Sequence, residues 1–272
     1  NLYLNGREIP KDSAEIGKDW YSTDLFVDWG LKFVDEARAE KKPFFLYVAQ
    51  GAVHFPLRAP ADVIAKYRGK YMAGWDALRE ARHKKQIELG IVAADQPLSP
   101  RPDDSPDWES READKKDRFD QMMATYAAMI ECIDRSMGTL VDGLEKRGVL
   151  ENTLIVFLSD NGMAPYTGAA AVEAQGHFPS GPLRGYKGDT WEGGHRTPFI
   201  VRWPTVVSAG QVCAQLVHHA DVMATVAEAL AITLPGTAGE DSFSLMPLLR
   251  GGKEPVRTHA ISAGMHGVPG LR

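Results

Sequence analysis

The feature that most constrains the fold of this chain is a short apolar run that ends abruptly in polar residues. Residues 154–158 read Leu-Ile-Val-Phe-Leu, and they are followed directly by Ser159-Asp160-Asn161-Gly162. An unbroken apolar run of this kind, rich in β-branched and aromatic side chains, predicts a strand buried on both faces of a parallel sheet. Open α/β sheets bind ligands at the carboxyl ends of such strands, so the polar tip is a candidate site.

Two interpretations of this polar tip are open from the residues alone. Asp160 and Asn161 carry carboxylate and amide oxygens, which are the ligands that hard divalent cations prefer. The same Asp-Asn-Gly sequence is also typical of a plain turn without a ligand. The choice between them depends on what other parts of the chain bring to the same edge of the sheet.

Other periodic segments indicate an α/β domain. Helices are predicted at about 22–42, 61–92, 118–147 and 221–231, and further strands at 44–48, 199–203 and 212–218. The predicted fold class is α/β, with a mostly parallel central sheet covered by helices on both faces. The loop after strand 44–48 carries His54 and Arg58, which places both on the same side of the predicted sheet as Asp160.

Composition limits the classes of partner. The 272 residues contain 44% hydrophobic and 25% charged residues, a profile typical of a globular protein, and a net charge of -5 gives no basic surface for nucleic acid. No apolar run reaches the length of about 18 residues that a membrane-spanning helix needs. Cys132 and Cys213 stand far apart in the sequence, so neither a disulfide framework nor a zinc cluster is expected.

The long segment 163–198 has no clear periodicity, and loops of this length inside a compact domain are usually functional or disordered. Its basic residues outnumber its acidic residues Glu173, Asp189 and Glu192; they are His177, Arg184, Lys187, His195 and Arg196. A cationic loop on an acidic protein suits a substrate that carries an anionic group.

Three segments resemble the type I sulfatases, the arylsulfatase-like branch of the alkaline phosphatase superfamily. They are Ala52-Val53-His54-Phe55-Pro56-Leu57, Phe157-Leu158-Ser159-Asp160-Asn161-Gly162, and the block from Leu183 to Pro198 that contains Lys-Gly-x-x-Trp-Glu-Gly-Gly. The last block is the most specific, and the order and spacing of all three agree with the family. The resemblance covers nearly the whole chain and favours the functional interpretation of the polar tip.

The resemblance implies a role for individual residues. Asp160 and Asn161 would bind a divalent cation, calcium rather than magnesium in most relatives. Lys187 would contact a sulfate oxygen, and His54 would hydrogen-bond the leaving-group oxygen or donate a proton to it. The organic part of the substrate would be held by His177, Arg184 and His195.

The family nucleophile is a formylglycine made from the first residue of a Cys/Ser-x-Pro/Ala-x-Arg motif. We expect this motif to be absent from the chain, since neither Cys132 nor Cys213 is followed by the rest of it, and we therefore expect the formylglycine upstream of Asn1. We expect residues 1–250 to be the carboxyl-terminal portion of an incomplete catalytic domain, and 251–272 to be the truncated start of a small subdomain. The chain alone would then be inactive and would belong to a longer enzyme.

The leading hypothesis is a sulfuric ester hydrolase that releases sulfate from a sulfated small molecule or glycan. One alternative is a phosphate or phosphonate ester hydrolase of the same superfamily. The other is an inactive fragment that binds sulfated glycans. Relatives imply a periplasmic or secreted protein, lysosomal in a eukaryote, and the sequence leaves the oligomeric state open.

Overall fold

The computed structural model of the chain describes residues 2–90, 93–98, 107–167, 169, 180, 183–265 and 267–272. The chain divides into two compact units, residues 1–150 and 151–272. Among the residues described, none of the helices combines the length and the apolar character needed to cross a membrane.

The first unit opens with a two-stranded hairpin. Strands β1 (Leu2–Leu4) and β2 (Arg7–Ile9) pair antiparallel. The two residues between them, Asn5 and Gly6, both have positive φ, at 51° and 78°. This is the conformation for which an Asn-Gly pair is best suited, because it matches the twist of the strands that it joins.

Helices form the rest of the first unit. They are α1 (Ser22–Ala39), α2 (Ala61–Ala65), α3 (Gly74–Glu88) and α4 (Ala113–Lys146). The long helix α4 packs against α1 and α2, and Val63, Ala128 and Cys132 form a buried cluster between α2 and α4. The predicted helices at 22–42 and 118–147 are therefore confirmed, with α4 starting five residues earlier.

The helical pattern predicted over 61–92 is interrupted between α2 and α3. The Asp120 carboxylate, which is buried on α4, accepts hydrogen bonds from the backbone N–H groups of Gly69 and Tyr71 at 2.9 and 3.0 Å. Arg68 pairs with the same carboxylate. The N–H groups of Gly69 and Tyr71 therefore bond a buried carboxylate instead of a carbonyl within a helix. Helix α3 begins at Gly74, which has a positive φ of 83°.

The strand predicted at 44–48 does not form. Residues 43–50 form neither helix nor strand, and they pair with no strand in the described part of the chain. Phe45 and Tyr47 are 77% and 80% exposed, so this segment is not the buried strand that its apolar residues predict. A run of aromatic and β-branched residues favours a strand locally, whereas a strand also needs a neighbouring strand to pair with.

The second unit contains the strand predicted at 154–158, which precedes Asp160 and Asn161. Strand β3 (Ile155–Leu158) pairs antiparallel with β4 (Phe199–Arg202), with Ile155 opposite Arg202 and Leu158 opposite Phe199. The predicted strands at 154–158 and 199–203 are thus confirmed. Burial on both faces is not observed, because Phe157 and Ile200 face each other across the pair and are both exposed. The strand pairs among the described residues are antiparallel, unlike the expected parallel neighbours.

Short elements complete the second unit. They are α5 (Glu192–His195), α6 (Asp221–Ala229), α7 (Met246–Leu249) and the hairpin of β5 (Ile261–Ala263) and β6 (Pro269–Leu271). The strand predicted at 212–218 is not formed, and Val212 is 95% exposed. Because Val212 is not buried, packing against a core does not add to its β propensity, and propensity alone does not produce a strand.

Candidate active site

The polar tip after β3 is bound to the chain segment that leads into β4. The Thr197 hydroxyl donates a hydrogen bond of 2.9 Å to the Ser159 carbonyl. The Gly162 N–H donates to the Gly194 carbonyl at 2.9 Å. The turn that carries Asp160 and Asn161 is therefore held against the glycine-rich block in 183–196.

This contact is a close approach of backbone to backbone. A Cβ atom added to Gly162 would lie 1.8 Å from the Gly193 carbonyl oxygen, and one added to Gly193 would lie 2.0 Å from the Gly185 oxygen. The Gly193 N–H also donates to the Arg184 carbonyl at 2.7 Å. Only residues without a side chain fit at these positions, which gives a physical reason for the glycines in the family-like block.

Lys187 lies at the corner of a tight turn. The Asp189 N–H donates to the Tyr186 carbonyl at 2.9 Å, and the Asp189 carboxylate accepts the Tyr186 N–H at 2.9 Å. Gly188, which follows Lys187, has a φ of +95°, a conformation that glycine adopts without strain. The Lys187 N–H donates to the Met163 carbonyl at 2.8 Å. The lysine backbone is thereby fixed directly to the chain that leaves Asp160 and Asn161.

Two charged residues of this region, Asp160 and Lys187, have no counter-charge among the described residues, whereas Glu192 pairs with Arg196 and Arg272. The Asp160 carboxylate is exposed and the Lys187 ammonium is half-buried, and neither makes an ion pair in the part of the chain that the structure describes. An ammonium held on a rigid turn without a counter-charge is suited to bind an external anion.

The donor atoms at the tip fit calcium in kind. Asn161 uses its amide N–H to bond the Gly162 carbonyl at 3.1 Å, so its amide oxygen is not needed for that contact. A carboxylate and an amide oxygen are hard ligands, but calcium takes about six to eight of them. Among the described residues, no group of three or more His, Cys, Asp or Glu side chains is placed to hold a metal. The two oxygens at this tip are therefore fewer than the number that calcium takes.

The predicted substrate-binding residues lie in different surroundings. The Arg184 guanidinium is exposed and stacks on the Trp191 ring, with its central carbon 3.9 Å from the ring centroid. The His195 ring is less available, because its Nε2 lies 2.9 Å from the Thr190 carbonyl oxygen and must donate to that acceptor. His177 lies outside the described residues.

His54 belongs to the first unit, whereas Asp160, Asn161 and Lys187 belong to the second. Its Nδ1 lies 2.7 Å from the Phe55 carbonyl oxygen. A carbonyl can only accept, so Nδ1 carries the hydrogen in this contact.

Several residues that build this region were not predicted from the sequence. Met163 acts through its carbonyl, which no side-chain pattern reveals. Asp189 fixes the turn inside the block through the Tyr186 N–H, three residues before it, and Thr197 attaches the end of the block to the Ser159 carbonyl. The Thr197 partner is a backbone atom distant in the sequence, and only the folded chain identifies it.

Residues 180–184 correct one expectation about the nucleophile. They read Ser-Gly-Pro-Leu-Arg, which has the spacing of the serine form of the formylglycine motif, so that spacing does occur in the chain. No Lys-x-His segment follows it, unlike the family pattern. The Ser180 hydroxyl donates to the Gly185 carbonyl at 3.0 Å, which supports the backbone of the lysine block.

Comparison with known proteins shows the family of this chain. The Sulfatase family model matches residues 3–232. An uncharacterized sulfatase of Schizosaccharomyces pombe is 30% identical over 268 residues, covering 86% of this chain and 47% of that protein. An arylsulfatase of Klebsiella aerogenes is 29% identical over 244 residues, covering 80% of this chain and 52% of that protein. The chain spans about half the length of these curated relatives.

Solved structures show the same relationship at the level of the fold. The crystal structure of Ps i-CgsB in complex with k-i-k-neocarrahexaose matches 94% of this chain and 43% of that chain, with a TM-score of 0.61 and 27% identity. The putative sulfatase yidJ from Bacteroides fragilis has a TM-score of 0.59 at 17% identity over 93% of this chain and 48% of its own. The predicted α/β fold class is confirmed, and the chain belongs to the sulfatase family.

Proposed function

We propose that this chain provides the sulfate-binding part of a sulfuric ester hydrolase that acts on a sulfated glycan. The observation that carries the proposal is the pair of backbone hydrogen bonds from Gly162 to Gly194 and from Lys187 to Met163. They hold a hard-cation donor turn and an unpaired ammonium on one rigid backbone, in a chain of the sulfatase family.

Lys187 and His54 are the proposed catalytic residues. Cleavage of a sulfate ester develops negative charge on the leaving oxygen while the sulfate oxygens remain charged. An ammonium fixed by its backbone stabilises that charge without having to reorganise, which lowers the barrier rather than only tightening binding. His54, protonated at Nε2, would donate a proton to the leaving oxygen.

Asp160 and Asn161 are the proposed calcium ligands. A bound calcium ion would supply positive charge that offsets the negative charge of the sulfate group. The two residues would hold the ion through a carboxylate and an amide oxygen, and further ligands would come from outside the described cluster. Residues in this chain then bind the sulfate and orient it, while the formylglycine, which supplies the nucleophilic oxygen, would lie elsewhere in the full protein.

Two observations favour a sulfated glycan as the substrate. The solved structure of Ps i-CgsB, 27% identical to this chain, holds the carbohydrate k-i-k-neocarrahexaose. In this chain, exposed Arg184 stacks on half-exposed Trp191 beside the lysine turn. A flat aromatic ring carrying a guanidinium offers both a surface for a sugar ring and a charge for a further sulfate group.

The experiment is an assay of sulfate release by the full-length protein from k-i-k-neocarrahexaose, with and without a calcium chelator. Lys187→Ala should lower kcat/KM by about 100-fold or more, as expected when one fixed donor to a developing charge is lost. Lys84→Ala, which removes an exposed lysine on α3, is the control. Faster release of phosphate from phosphate esters than of sulfate would contradict the proposal, as would binding without turnover.

Ser180→Ala separates the two possible positions of the nucleophile. If the nucleophile lies outside this chain, the variant keeps most of its activity and loses only the hydrogen bond to Gly185. Mass spectrometry of the peptide that contains Ser180 should then show an unmodified serine. A peptide lighter by two hydrogen atoms, together with an inactive Ser180→Ala variant, would place the formylglycine at this residue instead.

A further inference from the structure

The turn that joins β5 and β6 lies against the backbone that carries Lys187. The Met265 N–H donates a hydrogen bond of 2.7 Å to the Gly188 carbonyl. A Cβ atom added to Gly188 would lie 2.8 Å from the Met265 Cε, and one added to Gly264 would lie 2.9 Å from the Gly188 oxygen. The Met265 side chain therefore covers the α-carbon directly after the proposed sulfate-binding lysine.

The hairpin is attached to the same block along its second strand. A Cβ atom on Gly270 would lie 2.5 Å from the Thr190 Cβ, so β6 runs in direct contact with the residues after the lysine turn. The Arg272 guanidinium forms an ion pair with the Glu192 carboxylate at 2.6 Å. Contacts at Gly188, Thr190 and Glu192 hold the hairpin in one position beside the lysine turn.

Met265 is exposed despite this contact. Its side chain is 71% accessible to solvent, so it does not act as core filling. A thioether side chain is apolar, flexible and able to adapt to the shape of a partner. Lys187, which makes no ion pair among the described residues, is therefore followed by Gly188, against which the apolar side chain of Met265 packs.

From this juxtaposition we propose that Met265 is a specificity-determining residue, whose side chain packs against the C–H face of the sugar ring that carries the sulfate held by Lys187. The proposal rests on the proposed function. A sulfated sugar presents an anionic group and an apolar ring face within a few bonds of each other, which matches the pairing of Lys187 with Met265. The stacked Arg184 and Trp191 in the same block suit the next sulfated unit of a chain.

The test uses the full-length protein with Met265→Ala, Met265→Leu and Leu271→Ala. Leu271 is a matched control, since it is an apolar residue on the same hairpin with 75% exposure. Successive residues of a strand face opposite sides, so Leu271 points away from the Thr190 face that Gly270 contacts. Kinetics are measured with k-i-k-neocarrahexaose and with 4-nitrophenyl sulfate, and inorganic sulfate is used as an inhibitor.

For Met265→Ala, we expect KM for the oligosaccharide to rise about tenfold, the effect of losing one apolar contact, with kcat within about twofold of wild type. Met265→Leu should restore KM, Leu271→Ala should change nothing, and inhibition by inorganic sulfate should stay the same. An equal weakening of inorganic sulfate binding would show that Met265 only positions Lys187 and would overturn the proposal. A loss confined to 4-nitrophenyl sulfate would overturn the assignment to a sugar.

Calorimetry measures oligosaccharide binding without turnover, so it tests the role of Met265 independently of sulfate release. If the wild-type protein releases no sulfate, the proposed function fails, and the dissociation constant of the oligosaccharide decides the inference instead. Weaker binding by Met265→Ala than by Leu271→Ala would still support a sugar contact at Met265. Equal binding by the two variants, at wild-type melting temperature, would overturn it.

Discussion

At the scale of single residues, Gly162 decides how closely the turn that carries Asp160 and Asn161 meets the block that contains Lys187. Its N–H bonds to Gly194, and a side chain there would overlap the Gly193 carbonyl oxygen. Because the obstructing atom is backbone, no rotation of a side chain could relieve the overlap. The position of Asp160 relative to Lys187 therefore depends on this residue having no side chain.

We expect Gly162→Ala to lower the free energy of unfolding by about 3 kcal/mol, as overpacking against fixed backbone does, and to abolish sulfate release. Gly236→Ala is the control, because a Cβ atom there would meet nothing within 4 Å. Urea denaturation of both variants measures the difference. A Gly162→Ala protein as stable and as active as Gly236→Ala would contradict the backbone contact.

His218 is the residue whose protonation the fold opposes. Burial lowers the pKa of His218, and the neighbouring Arg257 lowers it further. Its Nδ1 also accepts the Ala220 N–H at 3.1 Å, which only an unprotonated nitrogen can do. The neutral ring is thus the form that fits the start of α6.

The folded pKa of His218 lies below that of the unfolded chain, near about 6.5, so the unfolded chain takes up the proton first as the pH falls. The contribution of His218 to stability is therefore complete above about pH 6.5 and is lost below it, down to the folded pKa. We expect His218→Asn, which keeps an acceptor at the same place, to weaken the fall in melting temperature between about pH 7 and pH 5. A variant with the wild-type pH dependence would contradict this.

At the scale of elements, α6 is fixed by a buried ion pair rather than by a cap. No side chain caps α6, and the carboxylate of its first residue, Asp221, pairs with the Arg257 guanidinium. The carboxylate also accepts the His218 N–H at 2.7 Å and the Phe243 N–H at 3.0 Å. One buried charge thereby joins α6 to the chain before α7 and to the chain before β5.

Replacing Arg257 with methionine should cost about 3–5 kcal/mol, because Asp221 would keep a buried charge without its partner. Arg250→Met is the control, since Arg250 and Glu228 form an exposed pair at 3.4 Å, and such pairs contribute about 0–1 kcal/mol. Thermal unfolding of the two variants gives the comparison. Equal losses would show that the buried pair is not the stronger attachment.

Sequence periodicity predicted the elements whose own side chains show which face is buried. Helices α1 and α4 have one apolar face against each other, so the pattern was sufficient. The segments 44–48 and 212–218 have strand-like composition, but their main chain does not meet a partner strand among the described residues. The break between α2 and α3 depends on Asp120, which lies on a different helix and is invisible to a local pattern.

At the scale of the whole molecule, the proposed calcium ligands Asp160 and Asn161 are fewer than a calcium ion takes. Asp160 and Asn161 supply oxygens of the right kind, but calcium needs about six to eight ligands. We expect the 272-residue chain by itself to bind calcium more weakly than about 0.1 mM, the strong end of the range for weak calcium modules. Calorimetric titration measures this, with Asp160→Asn as the comparison. Micromolar binding that Asp160→Asn removes would show that the chain carries a complete site.

The sequence by itself determined the family, the helices α1 and α4, the strand β3 and the chemical kind of each candidate site residue. These depend on residue type and short-range spacing, which the chain carries at every position. Only the tertiary structure decided that Gly162 meets Gly194, that Met163 holds Lys187 and that Met265 covers Gly188. Each of these contacts involves backbone atoms of residues far apart in the sequence. Because nearly every residue has the same backbone N–H and C=O groups, the residue types do not identify which of these groups will pair.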